Sequence, residues 1–340
     1  MKLKFFFVGL IAAVAQAGFA SGQTTRPSAA SSLVDLLPAS NVVVSIDVQR
    51  GLNDALPKLL VGNPAIKAEI DAGLAEMNGK AGSDLSKLAN VVVGLSLGEV
   101  STQKPKIDPV FIARGDIAAS QVVASATKAS KTPCTESTVA GKTLYLCQME
   151  VTINVPAANG SPATTKKVLR DTSFVALDAN TFAFGEPSRV KQMLVHETSV
   201  SPTIKSLLKD SPTTVAAFSM ESSPEFQKMM PIESDDVGTI LKGLRYVAGA
   251  ADSVADGFEF SLLLRNVDVP SAKRLNELLL GFKALGKVFL GSSQRADQRM
   301  YGGLIGSVKI AQVETDVSLS IAVPQSTVTA LMKEVKIKTK

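Results

Sequence analysis

Two stretches of this chain contain the same order of predicted helices and strands, and this internal repeat constrains the fold more than any other feature. The first covers residues 36–194, and the second, which is shorter, covers residues 207–335. Each opens with a helix end, a turn rich in Pro and Ser, and an apolar run typical of a strand. Each closes with a strand that leads into a short helix. The period is far longer than that of a solenoid, so we interpret the internal repeat as a duplicated domain.

The two copies differ in their middle parts. The first copy contains a predicted hairpin centred on Ala140-Gly141, and its counterpart in the second copy is Tyr301-Gly-Gly-Leu-Ile305, within a strand predicted at residues 300–308. The first copy also carries extra residues at 98–108 and 151–170, which we expect to form loops. Because of these insertions, the difference in residue number between equivalent positions of the two copies is not constant.

Strands that come in hairpins, with helices between them, are typical of an α+β fold. We therefore predict two tandem related units, each an antiparallel or mixed sheet with helices packed on one face. The sequence leaves open whether the units share one continuous sheet. The best amphipathic stripe follows Pro270, and such stripes usually pack into a core. Its apolar residues are Leu275, Leu278, Leu279, Phe282, Leu285 and Phe289.

The N-terminus predicts export. Lys2 and Lys4 precede an apolar stretch at residues 5–17, and small residues follow at Gly18 and Ala20, as in a secretory signal peptide cleaved after Ala17 or Ala20. The apolar stretch is shorter than the roughly 20 residues needed to span a bilayer. We divide the chain into a signal peptide (1–20), a flexible leader (21–32), the two α+β units (33–200 and 201–335) and a basic tail (336–340).

Composition excludes several classes of function. Loss of the signal peptide lowers the formal charge from +5 to about +3, and scattered basic residues with so small an excess do not indicate nucleic-acid binding. The chain has one His and no Trp, so catalytic bases and binding hot-spot residues are scarce. Glu233, Asp235 and Asp236 suit the first turn of a helix better than a metal site. We expect neither a metal nor another cofactor.

Cys134 and Cys147 are the two cysteines of the chain, and export places them in an oxidising compartment. If Ala140 and Gly141 form a two-residue turn, the cysteines face each other at a non-hydrogen-bonded position. Cα atoms at such a position lie about 4.5 Å apart, which accommodates a disulfide. We therefore predict a Cys134–Cys147 disulfide. The positive φ of such a turn is unfavourable for Ala140, which leaves open a register shifted by one residue.

One catalytic pattern supports an alternative function. Gly94-Leu-Ser-Leu-Gly98 matches the nucleophile elbow of α/β-hydrolases, and Asp178 and His196 follow in the chain order of that triad. The elbow requires a helix directly after the serine, whereas a loop is predicted here and residues 91–97 have the pattern of a strand. A serine hydrolase that uses Ser96, Asp178 and His196 is therefore the alternative. We place His196 instead at the exposed end of a helix.

The whole pattern resembles uncharacterised secreted bacterial proteins that contain a duplicated α+β domain of unknown function. The resemblance rests on Leu36-Leu37-Pro38 with the strand at residues 42–48, on the helix from Pro64, and on the Asp178 turn followed by Gly185-Glu-Pro-Ser-Arg-Val190. It implies export and architecture, and it implies no particular activity.

These observations predict an exported, soluble, non-enzymatic protein that is periplasmic or extracellular. Its role is that of a binding or structural component of the cell envelope, and its partner is a protein, a glycan or an apolar ligand. We expect no membrane span after signal cleavage. The binding region is expected at the face or cleft between the two copies, or in the segments of the first copy at residues 98–108 and 134–170.

Overall fold

A computed structural model describes residues 29–98, 106–155, 164–209, 214–223, 226 and 235–334. The predicted signal peptide and the basic tail lie outside these residues. Eleven helices are described: α1 (Ala29–Val34), α2 (Val48–Arg50), α3 (Leu56–Leu60), α4 (Pro64–Ala81), α5 (Ala119–Lys128), α6 (Pro187–Val195), α7 (Pro202–Lys209), α8 (Asp235–Lys242), α9 (Val269–Gly291), α10 (Ala296–Ser307) and α11 (Gln325–Glu334). A π-helical turn at Gly51–Ala55 joins α2 to α3, and a 3-10 turn lies at Leu85–Lys87.

Twelve strands form one antiparallel sheet, which confirms the α+β fold class. The strands are β1 (Val42–Asp47), β2 (Leu88–Leu97), β3 (Ile107–Gly115), β4 (Thr135–Val139), β5 (Lys142–Val155), β6 (Thr164–Ala176), β7 (Thr181–Gly185), β8 (Ala216–Glu221), β9 (Leu244–Val254), β10 (Gly257–Asn266), β11 (Lys309–Val313) and β12 (Asp316–Pro324). Their order in the sheet is β11-β12-β10-β9-β8-β1-β2-β3-β7-β6-β5-β4.

The two predicted units meet edge to edge within this sheet. Strand β1 pairs with β8 from Val42 opposite Met220 to Ile46 opposite Ala216. On each side of this junction the first three strands follow in chain order, and the last strand of the unit lies next to the third. The units therefore share one continuous sheet and a similar connectivity, while their origin by duplication stays a prediction.

The strands at the junction are buried on both faces. Val43 of β1 packs in one core cluster with Val190 of α6, whereas its neighbour Val44 packs in a second cluster with Val122 of α5. Central strands covered on both sides have continuous apolar sequences, as in Val91-Val92-Val93 of β2. The first unit thus differs from the predicted one-sided cover, because α5 and α6 pack on opposite faces of its strands.

The structure corrects three local predictions. Residues 151–155 and 164–170, expected in a loop, continue β5 and β6 as a two-stranded ribbon beyond their neighbours β4 and β7. The strand predicted at residues 300–308, with its Tyr301-Gly-Gly-Leu-Ile305 hairpin, is wrong, because these residues lie mainly in helix α10. Helix α1 begins at Ala29, inside the predicted leader.

The cysteine hairpin has the predicted register. Ala140 and Gly141 form the turn with φ of 48° and 74°, and Val139 pairs with Lys142 next to it. Cys134 and Cys147 form a disulfide, with Cα atoms 4.4 Å apart. Ala140 therefore adopts the left-handed conformation, although its positive φ is unfavourable for alanine. The disulfide prediction is confirmed.

Candidate binding surface

Helix α9 is anchored on the sheet by its first half. The carboxylate of Asp268 caps the helix by accepting a hydrogen bond from the Ser271 amide at 2.7 Å. Ala272 and Leu275 are buried in a core cluster that also contains Leu264 of β10 and Val317 of β12. The first half of α9 therefore packs into the core, as the sequence predicted for the whole helix.

The second half of α9 packs against α10 through glycines. A Cβ atom on Gly302 of α10 would lie only 2.6 Å from the backbone nitrogen of Gly291, and one on Gly286 of α9 would lie 3.1 Å from Cγ2 of Ile305. Between the helices, the Arg299 guanidinium donates hydrogen bonds to the carbonyls of Ser293 and Gln294. The two antiparallel helices therefore form a closely packed helical hairpin.

The outward side of this hairpin carries large apolar side chains that remain in contact with solvent. We call them the α9 apolar face: Leu280, Phe282, Leu285, Val288 and Phe289, which are 45%, 53%, 55%, 65% and 72% exposed. Single exposed apolar residues are common on protein surfaces, whereas a group of neighbouring ones is a candidate binding surface.

No charged side chain interrupts the α9 apolar face. Residues 280–291 contain two charges, Lys283 and Lys287. Helical periodicity places both on the flank that also carries Gly286 and Leu290, which is the flank towards α10. The aliphatic stem of Lys287 lies against Gly306, where a Cβ would be 3.5 Å from its Cδ. The apolar face is thus bordered by lysines along one side.

The hairpin as a whole is basic. Residues 280–307 contain Lys283, Lys287, Arg295 and Arg299 against the single acid Asp297. Asp297 pairs with Arg295 at 2.5 Å, and this hydrogen bond holds the pKa of Asp297 below its usual range. Within the described residues neither lysine has an ion-pair partner. The surface therefore combines an apolar strip with uncompensated positive charge.

The sheet does not bring Ser96 and Asp178 together. Ser96 of β2 pairs with Asp108 at the beginning of β3, whereas the Asp178 turn precedes Thr181, which pairs with Arg114 near the end of β3. The rise of about 3.3 Å per strand residue puts these two positions of β3 on the order of 20 Å apart. Ser96 and Asp178, two residues of the hydrolase alternative, therefore lie near opposite ends of strand β3.

Asp178 and His196 have local structural roles. The Asp178 carboxylate accepts a hydrogen bond from the Asn180 amide at 2.8 Å in the β6–β7 turn. Burial alone raises the pKa of Asp178, but this amide, the Thr181 hydroxyl and Arg114 together hold it below its usual range. His196 ends α6 in the left-handed conformation, with φ of 50°, and is exposed as predicted.

The α9 apolar face lies outside the regions in which the sequence predicts binding, and binding in those regions stays a prediction. The junction between the units is occupied by the β1–β8 ladder, and the α9 apolar face lies in the second unit. Among the described residues there is no group of three or more potential metal-ligating side chains. A signal for the surface was present in the sequence, since residues 280–291 are apolar on nearly every side of the helix except at the two lysines.

Comparisons with known proteins place no function on the chain. No protein-family model matches it, and no curated protein does. Three crystal forms of the protein TP0453 are similar in structure. Form IV is 8% identical in sequence, with a TM-score of 0.43, and the match covers 88% of this chain and 96% of that one. Forms III and I are 10% and 8% identical, both with a TM-score of 0.41, and the matches cover 92% and 91% of this chain and 99% and 97% of theirs. Similarity this weak carries no argument, so the resemblance drawn from the sequence stays a prediction.

In the described part of the chain, no helix combines the length and the hydropathy required to cross a membrane. Helix α9, with 23 residues, has the necessary length but also carries charged residues such as Lys273, Arg274 and Glu277 in its first half.

Proposed function

We propose that this chain is an exported, non-enzymatic binding or structural component of the cell envelope, periplasmic or extracellular, and that it binds through the α9 apolar face. The observation that carries the proposal is the exposure of five large apolar side chains on one side of a well-packed helical hairpin. The Cys134–Cys147 disulfide supports the location, since disulfides persist in oxidising compartments.

The energetics of this surface favour a bound partner. Full burial of a Leu, Val or Phe side chain contributes about 1.5–3 kcal/mol, and the α9 apolar face leaves much of that contribution unused. The glycine packing between α9 and α10 also fixes the helix before binding, which limits the conformational entropy lost on association. A preformed apolar surface of this kind is suited to binding.

Capture of envelope material tests the proposal. We expect the immobilised mature protein to retain material from a detergent-free envelope extract, and the double variant Phe282→Ser/Phe289→Ser to retain about tenfold less, since two half-exposed rings are lost from the contact. Val61→Ser is the matched control, because Val61 is 68% exposed and lies in the turn after α3, outside α9 and α10. Mass spectrometry of the retained protein, glycan and lipid measures the difference.

Equal capture by the wild type, the double variant and the control would show that the α9 apolar face is not the binding surface. Circular dichroism of each variant verifies that the fold is kept, which is expected because both Phe side chains are largely exposed.

The non-enzymatic part of the proposal is tested by serine reactivity. We expect a fluorophosphonate probe to leave the wild-type protein unlabelled, because Ser96 lies in a strand opposite Asp108 and at the far end of the sheet from Asp178. Labelling that disappears in Ser96→Ala would revive the hydrolase alternative. Ser45→Ala, in the neighbouring strand β1, is the control for general effects on the sheet.

A further inference from the structure

We propose that the partner of the α9 apolar face is the surface of a membrane that contains anionic lipid. The inference rests on the proposed function, since it names the occupant of the same surface. The shape of the hairpin, the position of its lysines and the excess of basic over acidic residues at 280–307 favour this partner.

The geometry of α9 suits a helix that lies in the membrane interface. Phe282 and Phe289 are two turns apart, so their rings are separated by about 10 Å along one side of the helix, with Leu285 and Val288 between them. Interfacial helices bury an apolar face of this kind to a depth of about 5–10 Å among the head groups and upper acyl chains. The first half of α9, which is held on the sheet, keeps the rest of the protein outside the membrane.

The charges of the hairpin favour an anionic surface. Lys283 and Lys287 are four residues apart and lie on the same flank of α9, where long side chains can extend to phosphate groups while their stems follow apolar surface. Arg299 of α10 adds a third positive charge, and the single acid Asp297 is already paired with Arg295. A basic flank beside an aromatic and aliphatic face favours anionic lipid, because burial of apolar area and electrostatic attraction both contribute to binding.

The same charges disfavour a second copy of the chain as the occupant. Two α9 apolar faces in contact would bring the bordering Lys283 and Lys287 of both copies towards each other, and like charges across an interface are destabilising. No acidic side chain of residues 280–291 could compensate them.

Vesicle flotation tests the inference. The mature wild-type protein should float with vesicles of phosphatidylcholine that contain about 30% phosphatidylglycerol, and it should float far less with phosphatidylcholine alone. Salt on the order of 0.5 M should weaken binding to the mixed vesicles, because it screens the lysines.

Two sets of variants separate the apolar from the electrostatic contribution. Phe282→Ser/Phe289→Ser should lower the partition coefficient on mixed vesicles about 30-fold. Lys283→Gln/Lys287→Gln should lower it about tenfold or more on mixed vesicles and leave binding to neutral vesicles unchanged. Val61→Ser and Lys142→Gln are the matched controls, since both positions are exposed and lie outside the helical hairpin of α9 and α10.

Three results would overturn the inference: no flotation of the wild type, equal flotation of the Phe double variant, or a stable dimer in light scattering that the Phe double variant converts to a monomer. If vesicles are not bound but envelope protein or glycan is still captured through the α9 apolar face, the lipid inference fails while the proposed function stands. If neither is bound, both fail.

Discussion

Reduction of the Cys134–Cys147 disulfide should lower the free energy of unfolding by about 3 kcal/mol, because the bond closes a loop of 13 residues in sequence separation. Strand β4 lies at the edge of the sheet and pairs only with β5 among the described strands, and the disulfide links the beginning of β4 covalently to that neighbour. Urea unfolding with and without a phosphine reductant measures the loss on an unchanged sequence.

Comparison of the oxidised with the reduced wild-type protein isolates the contribution of the disulfide. Cys147 is buried in the same core cluster as Phe174 and Phe182, so a serine variant would add the cost of burying a hydroxyl, which a comparison on one sequence avoids. Two free thiols in the oxidised, denatured protein, or an unfolding midpoint that does not respond to reductant, would contradict the role of the disulfide.

Gly302→Ala should destabilise the protein by about 2 kcal/mol, although alanine is the better helix former. The new Cβ would lie 2.6 Å from the backbone nitrogen and 3.0 Å from the Cα of Gly291, and a backbone cannot move aside as a flexible side chain can. Relief of the overlap requires α9 and α10 to separate, which would also disturb the α9 apolar face. Urea unfolding and hydrogen exchange in the two helices measure the effect.

Gly303→Ala is the matched control on the same helix. A Cβ on Gly303 meets no atom within 4 Å, so this substitution should stabilise α10 by about 0.5–1 kcal/mol through helix propensity alone. The two neighbouring variants should therefore move stability in opposite directions. Similar effects from both would mean that the close approach of the helices does not determine the structure of the hairpin.

Local sequence rules predicted the elements whose structure is decided by nearby residues. The hairpin register follows from Ala140-Gly141, because a two-residue turn fixes which residues face each other. Helix α4 begins as expected at Asn63 and Pro64, with the Asn63 side chain accepting a hydrogen bond from the Ile66 amide at 3.3 Å. The strand character of β1 and β2 was visible in their runs of valine.

The candidate surface escaped prediction because it depends on contacts between distant parts of the chain. An apolar stripe shows that a helix has something to bury, but it does not show where the sheet beneath that helix ends. Leu275 lies over the sheet and is buried, whereas Phe289 on the same stripe extends beyond that contact and is exposed. Gly302 and Gly303 were interpreted as a turn because their helical role becomes visible only when Gly291 is opposite.

Photo-crosslinking in the cell tests most directly the central claim that the α9 apolar face is the surface through which this protein binds. A photo-reactive phenylalanine analogue in place of Phe289, which is 72% exposed, is compared with the same analogue in place of Val61, which is 68% exposed. We predict light-dependent adducts with envelope material at position 289 and few at position 61. Adducts at neither position, or to the same extent at both, would contradict the claim.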